Sequence, residues 1–233
     1  MNELQIALRY SLINLIFHGG SILIAILIYR TSWLKSRKLQ PETPALHDWF
    51  FQIRYVFYFI ITAGVCAAVM IAFLRAVPSK VYLDYAQYSV VYNIFSALIY
   101  ALGFDAYFYF IHRLFHTNMF YHRIHWVHHR ITAPSCLTTV CAHPMELVIY
   151  HLYATIVCYI YPINYTTILL VHAFFDIGNH IRHFGHEIFS RELRRRLSFL
   201  VSATDHDKHH QDAFCNYGHT FIWWDKIYKT ERR

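Results

Sequence analysis

The sequence predicts an all-α integral membrane protein, a helical bundle whose cytosolic helical cap carries a histidine-rich dimetal site. One observation is the composition: 56% of the 233 residues are hydrophobic and 15% are charged, with few Gly and Pro. That balance is typical of helical membrane proteins. The other observation is that the 18 histidines recur in clusters at helical spacing.

Three runs without a formal charge, residues 10–29, 55–74 and 85–104, each contain 20 residues. This length is sufficient for a helix to cross a bilayer. Residues 1–104 are therefore predicted to form about three transmembrane helices. The first run is longer than the core of a signal peptide and lacks a small-residue cleavage site, so we expect it to be retained.

A basic loop after the first run predicts the orientation of these helices. It contains Arg30, Lys35, Arg37 and Lys38, and loops rich in Lys and Arg stay on the cytoplasmic side. The third helix then returns to this side and should continue past residue 104 into the cytosolic part. A bacterial inner membrane and an endoplasmic reticulum membrane follow the same rule. The net charge of +7 is explained by such flanking residues, and no nucleic-acid motif accompanies it.

A further uncharged stretch, residues 147–175, contains 29 residues. Because two full spans need about 20 residues each, we expect a hairpin of two short helices that enters the bilayer part of the way. The bend is predicted near residues 162–164, which include Pro162. The charged segment 191–196 that follows is expected to lie on anionic headgroups, although it could instead receive an electron-donor protein.

The histidine clusters follow the third run and the hairpin. Residues at i, i+3 and i+4 share one face of a helix, so each cluster can direct its imidazoles to one place. Chance would produce the pattern His-x-x-His-His roughly 0.1 times in this composition, yet it occurs twice. The clusters are His112-x-x-x-His116, His125-x-x-His128-His129, His206-x-x-His209-His210 and, ending at His183, Asn179-His-Ile-Arg-His183.

These nine histidines are more than one tetrahedral zinc ion can bind, so two metal ions are predicted. Imidazole suits Fe, Zn, Cu and Ni, so the ligands alone do not select the metal. Redox chemistry on a lipid, a dizinc membrane hydrolase and a non-catalytic metal-binding protein all fit. A hydrolase would need a carboxylate base, for which Glu146, Glu187 or Asp207 are candidates. A metal transporter is disfavoured, because its ligands should lie within the spans.

Asp105 precedes His112 by seven residues, which places both on one helix face. Its carboxylate is expected to accept the outer N–H of that histidine and so fix its tautomer. The alternative for Asp105 is a charge at a helix end that meets water.

The histidine clusters resemble those of the fatty acid hydroxylase and sterol desaturase superfamily, which consists of integral-membrane diiron oxygenases. Three flanking motifs extend this resemblance over roughly residues 105–230: Asp105-x-x-x-Tyr109, Ala142-His143-Pro144-x-Glu146 and Asn216-Tyr217-Gly218. It implies that residues 105–233 form a catalytic domain like that of the family. Among its subgroups, the chain is most similar in pattern to sterol C4-methyl oxidases, and sphinganine C4-hydroxylases share much of the same pattern. The stretch after His183 departs from the family, which leaves the substrate class open.

The resemblance implies an iron-dependent enzyme that hydroxylates or desaturates a C–H bond of a sterol, sphingoid base or fatty acyl chain with O2. It also implies that the nine histidines bind two iron ions. Electrons from NAD(P)H would come through a separate cytochrome b5-like or ferredoxin-like protein. His219 and Asp225 are expected to hold the terminal segment against the site, and His143 and Glu146 to form a hydrogen-bonded pair beside it, with loop-end packing as the alternative. Three further residues are expected around the metals: Asp105, Asn179 and Asp207. Of these, Asn179 is a candidate tenth contact.

Overall fold

The computed structural model describes residues 3–29, 31–41 and 46–232. Arg30 of the basic loop lies outside these residues. The described part is helical apart from loops and one two-residue strand pair, which confirms the all-α prediction. Its helices are α1 (Glu3–Tyr29), α2 (Ser32–Lys35), α3 (Leu46–Ala76), α4 (Val90–Phe115), α5 (Asn118–Phe120), α6 (Trp126–His129), α7 (Pro144–Ile160), α8 (Tyr165–Arg182), α9 (Arg191–Arg196), α10 (Ala203–Gln211) and α11 (Trp223–Ile227).

Two of these helices are long and apolar enough to cross a membrane: α3, over Asp48–Ala76, and α4. Only 22% and 28% of their apolar windows are buried within the protein, unlike the core helix of a soluble protein. Their large apolar side chains therefore face outward, as lipid contact requires. In α1 the apolar segment Leu8–Ile24 is shorter, so a third span stays a prediction. Helix α1 packs along α3, where the Ser11 hydroxyl donates to the Ile60 carbonyl oxygen at 3.1 Å.

Helix α4 connects the membrane part to the histidine clusters. It begins at Val90 rather than at residue 85, because Ser89 caps its first turn by accepting a hydrogen bond from the Tyr92 backbone N–H. Tyr85–Gln87 instead form a separate 3-10 turn. The helix continues to Phe115 and His116 caps its end, so the expected extension beyond residue 104 is confirmed.

Helices α7 and α8 form the two arms of the predicted hairpin. α7 starts with His143 as its cap and Pro144 in its first turn, and α8 starts with Asn164 as its cap. Between them, strand β2 (Ile163–Asn164) pairs in parallel with strand β1 (Val81–Tyr82). A buried core forms where α4, α7 and α8 meet, and it contains Tyr100, Ala154, Val157, Cys158, Ile163 and Ile168. The depth of this hairpin in a bilayer stays a prediction.

The segment between α5 and α6 is not a regular α-helix. Tyr121–His125 form a π-helical turn, after which α6 carries His128 and His129. The expectation that all three histidines of this cluster share one α-helical face is therefore wrong. A π-helical turn contains an extra residue, which redirects the following side chains, and such turns are frequent at functional sites.

Hydrogen bonds hold the terminal segment next to α10. The buried Asp225 carboxylate accepts hydrogen bonds from the backbone N–H groups of Tyr217 and Gly218 and from the Thr230 hydroxyl. Asn216 adopts a left-handed conformation at φ 54°, which Asn tolerates better than most residues, and its amide donates to the Asp205 carbonyl oxygen. The expected role of Asp225 in holding this segment is confirmed.

Candidate metal centre

The structure brings all nine predicted histidines together in two neighbouring groups. The first group, cluster A, consists of His112, His116, His125, His129 and His209. The second group, cluster B, consists of His128, His183, His206 and His210. Within each cluster the candidate ligand nitrogens all lie within 4.8 Å of one another, and every one of these residues is buried.

Two pairs of sequence neighbours are divided between the clusters. His128 belongs to cluster B and His129 to cluster A, whereas His209 belongs to cluster A and His210 to cluster B. Successive residues of a helix are rotated by about 100°, so α6 presents one imidazole to each cluster. Helix α10 presents His209 to cluster A and both His206 and His210 to cluster B. Helix α4 contributes only to cluster A, and His183, at the end of α8, contributes only to cluster B.

Six of the nine imidazoles are oriented through Nδ1, whose N–H donates to an oxygen outside the cluster. Four acceptors are the backbone carbonyls of Tyr217, Cys141, Cys215 and Ile131, for His112, His128, His209 and His210 respectively. His183 donates to the Asn179 carbonyl and His125 to the Glu146 carboxyl, both at 2.9 Å. These contacts fix the tautomer that leaves the Nε2 lone pair directed inward.

The inward nitrogens fit a cation. His183 Nε2 lies 3.1 Å from His128 Nε2 and 2.8 Å from His206 Nε2. Buried Nε2 atoms of His125, His129, His209 and His210 have no hydrogen-bond partner among the described residues. Burial lowers the pKa of His128 and of His209 to about 4, so both rings are neutral at pH 7. Converging neutral lone pairs repel one another unless a metal ion lies between them, and imidazole is a common ligand of such ions.

Glu146 joins His125 of cluster A to α7. Its carboxyl accepts from His125 Nδ1, and it is 3% exposed. It also accepts from the His143 backbone N–H at 3.4 Å in a capping box. The predicted His143–Glu146 pair therefore exists, but His143 acts as a helix cap and only Glu146 contacts a cluster histidine.

Replacing Glu146 with Ala is expected to weaken metal retention about tenfold to a hundredfold, because His125 loses the acceptor that orients its ring. Glu146→Gln keeps an oxygen that can accept this bond and should lose less. Competition with a chelator, followed by elemental analysis, measures the effect. Glu192→Gln, an exposed change on α9, serves as control. Wild-type retention in Glu146→Ala would contradict the assigned role.

The prediction that Asp105 contacts His112 is wrong. Seven residues of helix correspond to about 10 Å of axial rise, which a carboxylate side chain cannot reach across. The Asp105 carboxylate instead accepts hydrogen bonds from the backbone N–H groups of Thr220 and Phe221. It acts on His112 indirectly, because the same loop contains the Tyr217 carbonyl that orients that ring.

Two other predicted neighbours of the metals have different partners. The Asp207 carboxylate accepts hydrogen bonds from the side-chain amides of Gln40 and Gln211, at 2.7 Å each, rather than from a histidine. Asn179 contacts His183 through its backbone carbonyl oxygen. The Asn179 side chain lines the cavity beside the clusters. His219, in the terminal segment, contacts the guanidinium of Arg182, at the end of α8, at 3.1 Å.

The backbone carbonyls that orient the rings were not predicted, because every residue carries one and the sequence gives no signal for them. A cavity opens from both clusters. Phe104, Phe108 and Phe175 line it, as do Tyr10, Asn14 and His18 of α1 and Tyr165 and Asp176 of α8.

The helices and the site define a class of protein: a membrane protein with two adjacent clusters made of histidine alone, next to a partly apolar cavity. The chain belongs to the fatty acid hydroxylase family, whose model matches residues 97–230. This result confirms the resemblance found in the histidine clusters.

The curated relatives are sterol oxidases by name. A C-4 methylsterol oxidase from Schizosaccharomyces pombe is 32% identical over 136 residues, which cover 55% of this chain and 44% of the relative. Methylsterol monooxygenase 1 from Danio rerio is 34% identical over 132 residues, which cover 54% of this chain and 43% of the relative. The chain thus matches less than half the length of these relatives. No solved structure matches the chain.

Proposed function

We propose that the protein is a membrane-bound oxygenase that hydroxylates or desaturates a C–H bond of a lipid, with two iron ions as cofactor. The observation that carries this proposal is the pair of histidine clusters, whose inward nitrogens lie beside a partly apolar cavity. The names of the relatives support a methylsterol as the first substrate to test. A sphingoid base and a fatty acyl chain remain further candidates.

Cluster A would hold one iron ion and cluster B the other, and the pair would supply the activation of O2 that oxidation of an unactivated C–H bond requires. The residues around the clusters fix the imidazoles, since six Nδ1 atoms donate to oxygens outside the clusters. The aromatic side chains of Phe104, Phe108 and Phe175 line the cavity and would help to exclude water from it. Together these contacts would place a lipid C–H bond next to the metals.

The dizinc hydrolase is less well supported, because the three carboxyls considered as its base already have other partners. Glu146 accepts from His125 and from the His143 N–H. Glu187 accepts from the Thr204 hydroxyl at 2.7 Å, and Asp207 accepts from two amides. A general base must be free to reach the proton that it removes.

The electrons would come from NAD(P)H through a separate protein, either cytochrome b5-like or ferredoxin-like, on the cytoplasmic side. Helix α9 carries Arg191, Arg194, Arg195 and Arg196. Its exposed arginines suit anionic headgroups and would equally suit an acidic donor protein.

The proposal is tested by purifying the protein in detergent from cells grown on iron-57, with elemental analysis and Mössbauer spectroscopy. We expect about two coupled iron ions per chain. Incubation with a 4-methylsterol, a sphingoid base or a fatty acid, a reducing system and 18O2 should then give an 18O-labelled alcohol or an alkene. Two zinc ions retained after iron-rich expression, with no O2-dependent product, would favour the hydrolase instead.

A further inference from the structure

The part of the cavity that α1 and α8 line contains a carboxyl group that has no evident structural role. Asp176 lies on α8 and lines the cavity, and its side chain accepts no hydrogen bond and forms no ion pair among the described residues. The other buried carboxyls near the site, Asp105, Glu146 and Asp225, all accept hydrogen bonds from the protein. A carboxyl without a hydrogen-bond partner inside a protein is costly, and within a membrane such a group usually marks a functional site.

Further polar groups surround Asp176. Tyr10, Asn14 and His18 lie four residues apart on α1, so they form a stripe on one helix face, and all three line the cavity. His18 Nδ1 lies 2.9 Å from His180 Nε2, which fixes this part of α1 against α8. The Tyr10 hydroxyl is close enough to Asp176 and Tyr165 to interact with them electrostatically. A cavity that received only hydrocarbon would not need this stripe.

The position of Asp176 relative to the metals follows from the helix. It precedes His183 by seven residues on α8, which corresponds to about 10 Å of axial rise. The cavity is continuous from Asp176 to the cluster histidines His112, His125, His128, His183 and His206. A ligand with one group at Asp176 would therefore place carbon atoms about 10 Å away next to the metals.

We propose that Asp176, together with Tyr10 and Asn14, binds a hydrogen-bond-donating group of the lipid substrate, a hydroxyl or an ammonium. This inference rests on the proposed function, since it assigns the substrate class of the same cavity. It favours lipids whose polar donor lies about 10 Å from the oxidised carbon. A 4-methylsterol oxidised at its 4-methyl group does not fit this requirement, because its 3-hydroxyl is on the adjacent ring carbon. A free carboxylate at that position is disfavoured, because it would face a second carboxyl group.

Binding can be measured without O2 or reductant, so the test does not depend on turnover. The protein is placed in phosphatidylcholine nanodiscs, and its thermal unfolding midpoint is titrated with 1-hexadecanol, hexadecylamine, palmitic acid and hexadecane. For the wild type we expect the alcohol and the amine to bind about tenfold tighter than hexadecane, as a hydrogen bond to a charged group provides. The acid should bind no better than hexadecane.

Two substitutions assign the preference to Asp176. Asp176→Leu should bind all four probes within about twofold of one another, because no acceptor remains. Asp176→Asn keeps an acceptor oxygen but loses the charge, so it should retain the preference for the alcohol and lose that for the amine. Partition of each probe into the bilayer is the same for every variant. Glu192→Gln, on the exposed face of α9, should behave as the wild type.

Metal content measured on the same samples separates the two proposals. Zinc in place of iron, with probe preferences as expected, would overturn the oxygenase and leave the Asp176 site standing. Equal binding of hexadecanol and hexadecane by the wild type, or an unchanged preference in Asp176→Leu, would overturn the Asp176 site. If Asp176→Leu loses its metal because it does not fold, Asp176→Asn decides: an amine preference that persists in it would overturn the site.

Discussion

Replacing His183 with Ala is expected to lower the metal content from about two ions per chain to about one, with loss of oxygenase activity. His183 belongs to cluster B only, and its Nε2 lies within 3.1 Å of both His128 Nε2 and His206 Nε2. Its removal leaves three imidazoles in cluster B, whereas cluster A keeps five. Activity should fall by more than the roughly hundredfold that loss of a supporting contact causes.

Two further substitutions are compared with His183→Ala: His116→Ala and His122→Ala. His116→Ala removes a residue of cluster A only, so it should also leave about one ion per chain but in the other cluster. His122 is exposed and lies outside both clusters, so its replacement should leave about two ions. Elemental analysis gives the content, and Mössbauer spectra show whether the remaining iron in the two variants has different surroundings. Two ions retained by His183→Ala would remove His183 from the ligand set.

Replacing Asp225 with Ala is expected to destabilise the protein by about 3–5 kcal/mol, which lowers its thermal midpoint by about 10 °C. Asp225 is 0% exposed and accepts three hydrogen bonds, from the N–H groups of Tyr217 and Gly218 and from the Thr230 hydroxyl. Ala would leave these buried donors unpaired. The Tyr217 carbonyl lies 2.8 Å from His112 Nδ1, so metal retention should fall as well.

A second variant distinguishes the hydrogen bonds from packing. Asp225→Asn has nearly the same shape, but its NH2 group would face a donor, so it should lose part of the stability. Thermal unfolding in nanodiscs, with and without a chelator, measures both effects. Glu192→Ala, which removes an exposed carboxylate, should change stability by less than about 0.5 kcal/mol. A similarly small change in Asp225→Ala would show that the terminal segment does not depend on this carboxylate.

The helical spacing of the histidines predicted much of the site, because positions i, i+3 and i+4 coincide on any α-helix. The nine residues do converge. Their division into two clusters was not predictable, since it depends on the π-helical turn before α6 and on how α4, α6, α8 and α10 are packed. The Asp105 contact was misassigned because face periodicity ignores axial rise. On α1, Tyr10, Asn14 and His18 have the same helical spacing. The sequence could not show that this face contacts α8, because the contact joins His18 to His180, 162 positions later.

The division of His128–His129 and of His209–His210 between the clusters has a consequence for how this site can change. Each pair is joined by one peptide bond, so the separation of the two clusters is set by the backbone of α6 and α10 rather than by the choice of side chain. An insertion or deletion within either helix would rotate neighbouring imidazoles by about 100° per residue and disrupt both clusters together. The two halves of the centre therefore depend on the same backbone, and such a change cannot alter one of them alone.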